Sequence, residues 1–209
     1  MEITVTRKTS ESFISVSINT DKRDKELKKN IDTPLQFFNH MIETIAWRAC
    51  MNIKVTTDLT DFKLTHVICE DVGLTMGEAF YRLYNKSLPE GIKGDGSAVA
   101  GIDEALSRVF ISFEDRALLC WDDKAVMSVS ERVEDMLSAD LCSFFEGFVQ
   151  GAKATLHVDL LKGTNPHHVW ESMFRALGES LLIAFSDCPW RKDTTPGVKG
   201  ETVLEEAWI

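Results

Sequence analysis

FFNHMIETIAWRACMNIKVTTD, residues 37–58, opens on two phenylalanines, runs a helix's length of mixed apolar and polar residues, and passes into an alternating β-type segment. The same order returns at residues 144–161 as FFEGFVQGAKATLHVDLL. Beyond each copy lies a connection and then a second helix that opens on histidine and glutamate. These helices read HVICEDVGLTMGEAFYRL at 66–83 and HHVWESMFRALGESLLIAF at 167–185. Phe37 and Phe38 thus match Phe144 and Phe145, Lys54 matches His157, and His66, Val67 and Glu70 match His167, His168 and Glu171. The connections differ, with 28 residues from Phe38 to His66 and 22 from Phe145 to His167. Two copies at so long a period describe a duplicated α+β domain rather than a solenoid.

Working outward, ITVTRKT and SFISVSINTD alternate apolar and polar residues, as do SRVFISFED and RALLCWDD, so each half is expected to open with a hairpin. The glycine-dense GIKGDGSAVAG, residues 91–101, is the natural hinge between the halves. It lacks the order of a nucleotide-binding glycine loop. The expected division is residues 1–93, residues 94–187, and a tail, 188–209, packed on the domain or on a neighbouring subunit.

The bulk properties bound the function. A chain of 209 residues with 44% hydrophobic and 27% charged residues reads as a globular protein. Its net charge of -10 leaves no basic stripe for nucleic acid. No apolar run has the length of a membrane span or a signal-peptide core. Five scattered cysteines, none in a CxxC spacing, suit a reduced cytoplasm.

The chemistry lies in the histidines. Helical positions i and i+4 sit about 40° apart around the axis, so their side chains converge. His167 with Glu171, and His66 with Glu70, have that spacing. Each pair is half of a first-row transition-metal site. His168 points about 100° away and must serve another centre, with His40 and His157 as further donors. A lone pair of this kind is commonly a solvated ion pair. Here all five histidines fall inside the repeat, which favours metal.

The order FFNHM, HVICEDVG, DEAL, LHV and GTNPHHVWESMFRA resembles the imidazoleglycerol-phosphate dehydratase family, whose counterparts read FFDHM, HHTVEDVG, DEAL, LH and GxNxHHxxEAxFKA. RKTSES at 7–12 and PGVKG at 196–200 look like its RxTxET opening and terminal STKG. The resemblance implies a duplicated ribosomal protein S5 domain 2-like fold and a large homo-oligomer with active sites between subunits. It also implies a Mn2+ or other first-row divalent metal enzyme of histidine biosynthesis that removes water from an imidazole-bearing glycerol phosphate. On it, His40, His66, Glu70, His157, His167, His168 and Glu171 fall on metal ligands, and Glu11 and Glu171 on proton-moving carboxylates. Arg116, Arg175 and Lys199 fall on the phosphate-binding positions.

The chain also departs from the pattern. Val67 stands where a ligand histidine is expected, which implies one well-formed metal site per subunit. Asn39 and Leu64 replace carboxylates that would orient ligands. Gly94 stands for a phosphate-binding arginine, with Lys93 one residue early, and Gly197 for a serine. Asp95, Glu114 and Asp115 bring negative charge to the phosphate end. The alternative reading is a non-catalytic or substrate-shifted paralogue that keeps the scaffold and one metal. A metal-free structural protein accounts for neither His40 nor His157.

Overall fold

The computed structural model describes residues 1–59, 64–121 and 129–200. The first half starts with strands β1 (Glu2–Lys8) and β2 (Ser12–Asn19), followed by the short β3 (Ile31–Asp32), helix α1 (Gln36–Ala49), β4 (Asn52–Leu59) and helix α2 (Thr65–Ser87). The second half repeats the scheme with β5 (Asp95–Ile102), β6 (Ala105–Phe113) and β7 (Leu118–Trp121). A small hairpin of β8 (Arg132–Val133) and β9 (Met136–Leu137) is inserted there, before helix α3 (Ser138–Ala152), β10 (Ala154–Lys162) and helix α4 (Pro166–Ala184). The two main sheets have the orders β1-β2-β4-β3 and β5-β6-β10-β7. In each, the third strand of the half runs parallel to the fourth, β3 to β4 and β7 to β10. The expected α+β duplication is therefore present in strand order and direction alike.

Two expectations need correction. SRVFISFED and RALLCWDD do not pair; β7 lies parallel to β10, and the opening hairpin of this half is β5 with β6. The glycine-dense segment is strand from Asp95 onward, not hinge. Its glycines serve packing, because a Cβ on Gly96 would lie 2.1 Å from the carbonyl oxygen of Ser180 on α4. Only residues 91–94 connect the halves, and Gly94 there has φ +73°, a left-handed conformation that glycine accepts without steric cost.

The helices lie between the sheets: α2 covers β1 and β2, α4 covers β5 and β6, and across the halves α1 packs on α4 and α2 on α3. The α2–α3 approach is close enough to need glycine on both helices. A Cβ on Gly77 would sit 2.2 Å from the Phe148 carbonyl oxygen, and one on Gly151 2.1 Å from that of Leu74. Both double-phenylalanine motifs feed the shared core, where Phe38, Phe144, Phe145, Phe174 and Trp170 are buried. The segment 187–193 folds back on its own chain: Asp187 bridges Ile92, the Cys188 N–H donates to the Gly91 carbonyl at 2.7 Å, and that of Asp193 to the Leu88 carbonyl at 3.0 Å.

Candidate active site

The helix starts place the functional side chains. On α4, Pro166 occupies the first turn, and the Asn165 side chain accepts the backbone N–H groups of His167 at 2.9 Å and His168 at 3.4 Å. This cap fixes the turn that bears both histidines. One helical turn on, Glu171 is buried. From α1, which packs on α4, His40 approaches the same carboxylate. Its Oε2 lies 3.3 Å from His167 Nε2 and 3.4 Å from His40 Nε2. Two ligand atoms on a metal at about 2.1 Å, with a tetrahedral or octahedral angle between them, stand about 3.0–3.4 Å apart. The donor set therefore fits a small divalent cation, and these three groups offer atoms within 4.8 Å of one another. A cleft of about 300 Å³ opens beside them, bordered by Lys28, Glu43, Trp47, Arg48 and Arg175.

Glu171 is shared in an ordered way. Oε1 accepts Arg175 Nε at 2.9 Å and Nη2 at 2.6 Å, while Oε2 faces the two imidazoles. Burial pushes the Glu171 carboxyl up, but the Arg175 hydrogen bonds and charge, reinforced by His40, hold it below the usual carboxylate range. It remains ionised, with one oxygen presented to the histidines.

The other sequence-derived candidates are distributed over the same chain. His168 turns away from His167, the rings 6.0 Å apart and 80° inclined, toward the turn between β5 and β6. There Glu104 Oε2 meets His168 Nδ1 at 2.7 Å, and Asp103 lies 3.5 Å from Nε2. Glu104 is held down to about 2, chiefly by the backbone N–H of Asn165 and then by His168, and its hydrogen bond raises His168. His66 and Glu70 face each other at 3.6 Å at the start of α2, with Ser143 on α3 hydrogen-bonded to His66 Nδ1 at 2.8 Å. Glu11 sits in the β1–β2 turn near that helix, tied there by Ser12, which bonds Asp71 at 2.6 Å. His157 lies on β10 beside Phe110 in a shallow groove with Arg108 and Asp159. One chain thus assembles His40, His167 and Glu171, but not all seven metal-ligand candidates.

The phosphate candidates are also split. Arg175 reaches Gly101 at the far end of β5, about 20 Å along the strand from Asp95. Arg116 and Lys199 belong to the other end, where Gly197 lies against Glu114. The acidic residues there have partners: Asp95 pairs with Arg191, Glu114 accepts the Ser112 hydroxyl at 2.7 Å, and Asp115 accepts the Tyr81 hydroxyl at 2.6 Å. Arg191, which no local motif marks as a site residue, sets its guanidinium against the Lys93 carbonyl and Asp95, the residues on either side of Gly94. Asn39 does not orient a histidine either; it holds Thr33, accepting the hydroxyl at 2.7 Å and donating to the carbonyl at 2.9 Å. Glu104, inside the quoted DEAL, and Ser143 are partners that their local sequence did not announce.

The imidazoleglycerol-phosphate dehydratase family pattern matches residues 33–181, a span that contains this cluster. The chain belongs to that family. The imidazoleglycerol-phosphate dehydratase of Cellvibrio japonicus is 36% identical over 196 residues, covering 94% of this chain and 95% of its own. The enzyme of Laribacter hongkongensis is 35% identical over 200 residues, covering 95% of this chain and 97% of its own. Among solved structures, that of the Pyrococcus furiosus dehydratase in complex with (S)-C348 overlays with a TM-score of 0.75 at 28% identity, covering 93% of this chain and 98% of that one. The family assignment makes the chain an enzyme, a lyase of the dehydratase type that belongs to histidine biosynthesis. Among the described residues, no helix is long and apolar enough to cross a membrane.

Proposed function

We propose that this chain removes water from an imidazole-bearing glycerol phosphate, as imidazoleglycerol-phosphate dehydratase, and that it does so with Mn2+ or another first-row divalent ion in the cytoplasm. One observation carries the metal dependence: in a member of this family, two imidazole Nε2 atoms from different helices converge on one oxygen of a buried carboxylate. His40, His167 and Glu171 would hold one ion within the chain. His66, Glu70, His157 and His168 are proposed as ligands that meet when copies of the chain associate, so the working enzyme is a homo-oligomer. Val67 leaves one of the two positions short of a donor, and one well-formed site per subunit follows. The repeat units of this assembly are residues 1–93 and 94–187, with the tail 188–209 packed on the second half or on a neighbour.

When bound, the ion supplies Lewis-acid stabilisation of the negative charge that develops as a carbon-bound proton leaves. The remaining work belongs to side chains. Glu171, ionised and held by Arg175, is fit to accept the carbon-bound proton, and the hydroxyl must receive a proton in turn to leave as water. Glu11 is the second such carboxylate, brought to the site across a subunit boundary. Arg116, Arg175 and Lys199 are proposed to meet the phosphate. Arg175 borders the cleft while anchored to Glu171, so it can link substrate binding to the carboxylate.

The test is turnover of imidazoleglycerol phosphate by purified protein with added Mn(II), beside metal analysis. Water elimination that depends on metal supports the proposal. Metal binding without turnover would point instead to a paralogue whose substrate has shifted.

A further inference from the structure

The turn between β8 and β9 has a backbone that its sequence does not favour. Glu134 adopts φ +48°, in the left-handed region where a Cβ costs energy. Its carboxylate reaches the helix of the second half: Oε1 is 2.9 Å from His167 Nδ1. The next residue, Asp135, reaches the first half. Its Oδ2 accepts the Gln36 N–H at 2.8 Å and its Oδ1 that of Phe37 at 3.1 Å. These donors open α1, whose N-cap residue is Leu35, a side chain with no oxygen to offer. Two consecutive residues therefore grip the two helices that bring His40 and His167 together. Phe37, held by this cap, packs edge-on against the His167 ring at 5.1 Å.

We propose that Glu134 is a positioning residue for His167: it accepts the Nδ1–H, fixes that tautomer, and leaves the Nε2 lone pair directed at the His40–Glu171 cluster. Asp135 anchors the turn from which Glu134 reaches. Glu134 is not a ligand, since it meets the ring nitrogen opposite the cluster. A metal-bound histidine works best when its second nitrogen donates to a carboxylate, and loss of such a partner typically lowers affinity about 10–100-fold. This need explains why a glutamate occupies a left-handed position that glycine would fill without strain. The inference rests on the metal reading proposed above for the same site.

The experiment titrates Co2+ into the metal-stripped full-length protein and into Glu134→Gly and Glu134→Gln, with melting temperatures and imidazole 15N shifts of the metal-free forms. Glu134→Gly is expected to bind Co2+ about 10–100-fold more weakly, with an unchanged or higher melting temperature. It should also lose the Nδ1–H tautomer preference of His167. Glu134→Gln, whose carbonyl oxygen still accepts the Nδ1–H, should recover most of the affinity. Wild-type affinity with unaltered His167 shifts in Glu134→Gly overturns the proposal, as does a loss of affinity that follows a fall in stability. If the wild type takes up no metal, the metal reading fails, and the tautomer comparison still decides what Glu134 does.

Discussion

Replacing Glu171 by glutamine removes one charge and leaves the shape. In the metal-free protein the carboxylate receives two hydrogen bonds from Arg175, at 2.6 and 2.9 Å, and faces two imidazoles at 3.3 and 3.4 Å. A hydrogen bond to a charged group contributes about 1.5–3 kcal/mol. Glutamine keeps a neutral acceptor, and Arg175 retains 22% exposure, so water offsets part of the loss. The expected net destabilisation at neutral pH is about 1–3 kcal/mol, or a fall in melting temperature of roughly 2–10 °C for a chain of this size. The pH dependence identifies the cause. The Glu171 carboxyl is lowered in the folded protein, so its contribution is complete above the unfolded value of about 4.3 and is lost as pH falls through the lower folded value. Thermal melts in EDTA from neutral pH down through pH 4 and below should show a difference between wild type and Glu171→Gln that is constant above about pH 4.3 and narrows only below it. Equal stability at neutral pH, or a difference that ignores pH, would refute the assigned role of this carboxylate.

Gly94→Arg, which would restore the family's phosphate-binding side chain, should fail to improve phosphate binding. At φ +73° its Cβ would meet Pro196 at 2.9 Å, and the cost of about 1–2 kcal/mol or more should appear as a lower melting temperature. Gly77→Ala should destabilise by about 1–3 kcal/mol, measured by urea unfolding, because its Cβ would fall 2.2 Å from the Phe148 carbonyl oxygen. The Glu104–His168 pair should stabilise the metal-free protein most in mildly acidic solution. Glu104 contributes above its unfolded value and loses this as pH falls toward about 2, whereas His168, raised in the fold, contributes below its unfolded value and loses this as pH climbs through the folded one. Glu104→Gln should therefore cost more in melting temperature near pH 6 than in alkali.

The sequence pattern exposed what is periodic and local. Paired phenylalanines, alternating strands and the i, i+4 His–Glu spacing located α1, α2, α3 and α4 and the convergence of His167 with Glu171. They did not reveal what glycine does at close approach. GIKGDGSAVAG looked like a hinge because glycine breaks strands in general, yet Gly96 is there so that α4 can lie against β5. RALLCWDD was legible as a strand but not its partner, since alternation is silent on whether a neighbour is sequential or parallel. Charge counting along the chain did not show that Asp95 is paired, because its partner Arg191 lies 96 residues away. Asp135 could not be read as the cap of α1 from 98 residues away, although Leu35 in an N-cap position hinted that the cap comes from elsewhere. The proposal that His66, His157 and His168 meet between copies accounts for their dispersal, since such a meeting has no signature within one chain.

Central to this account is that His40, His167 and Glu171 hold an ion that the dehydration requires. The most direct measurement adds Mn(II) in increments to the metal-stripped protein while following turnover of imidazoleglycerol phosphate. The account predicts no turnover at the start, a rise that levels near one ion per chain, and no rise in His167→Ala. Full turnover by the stripped protein, or a wild-type response in His167→Ala, would contradict it.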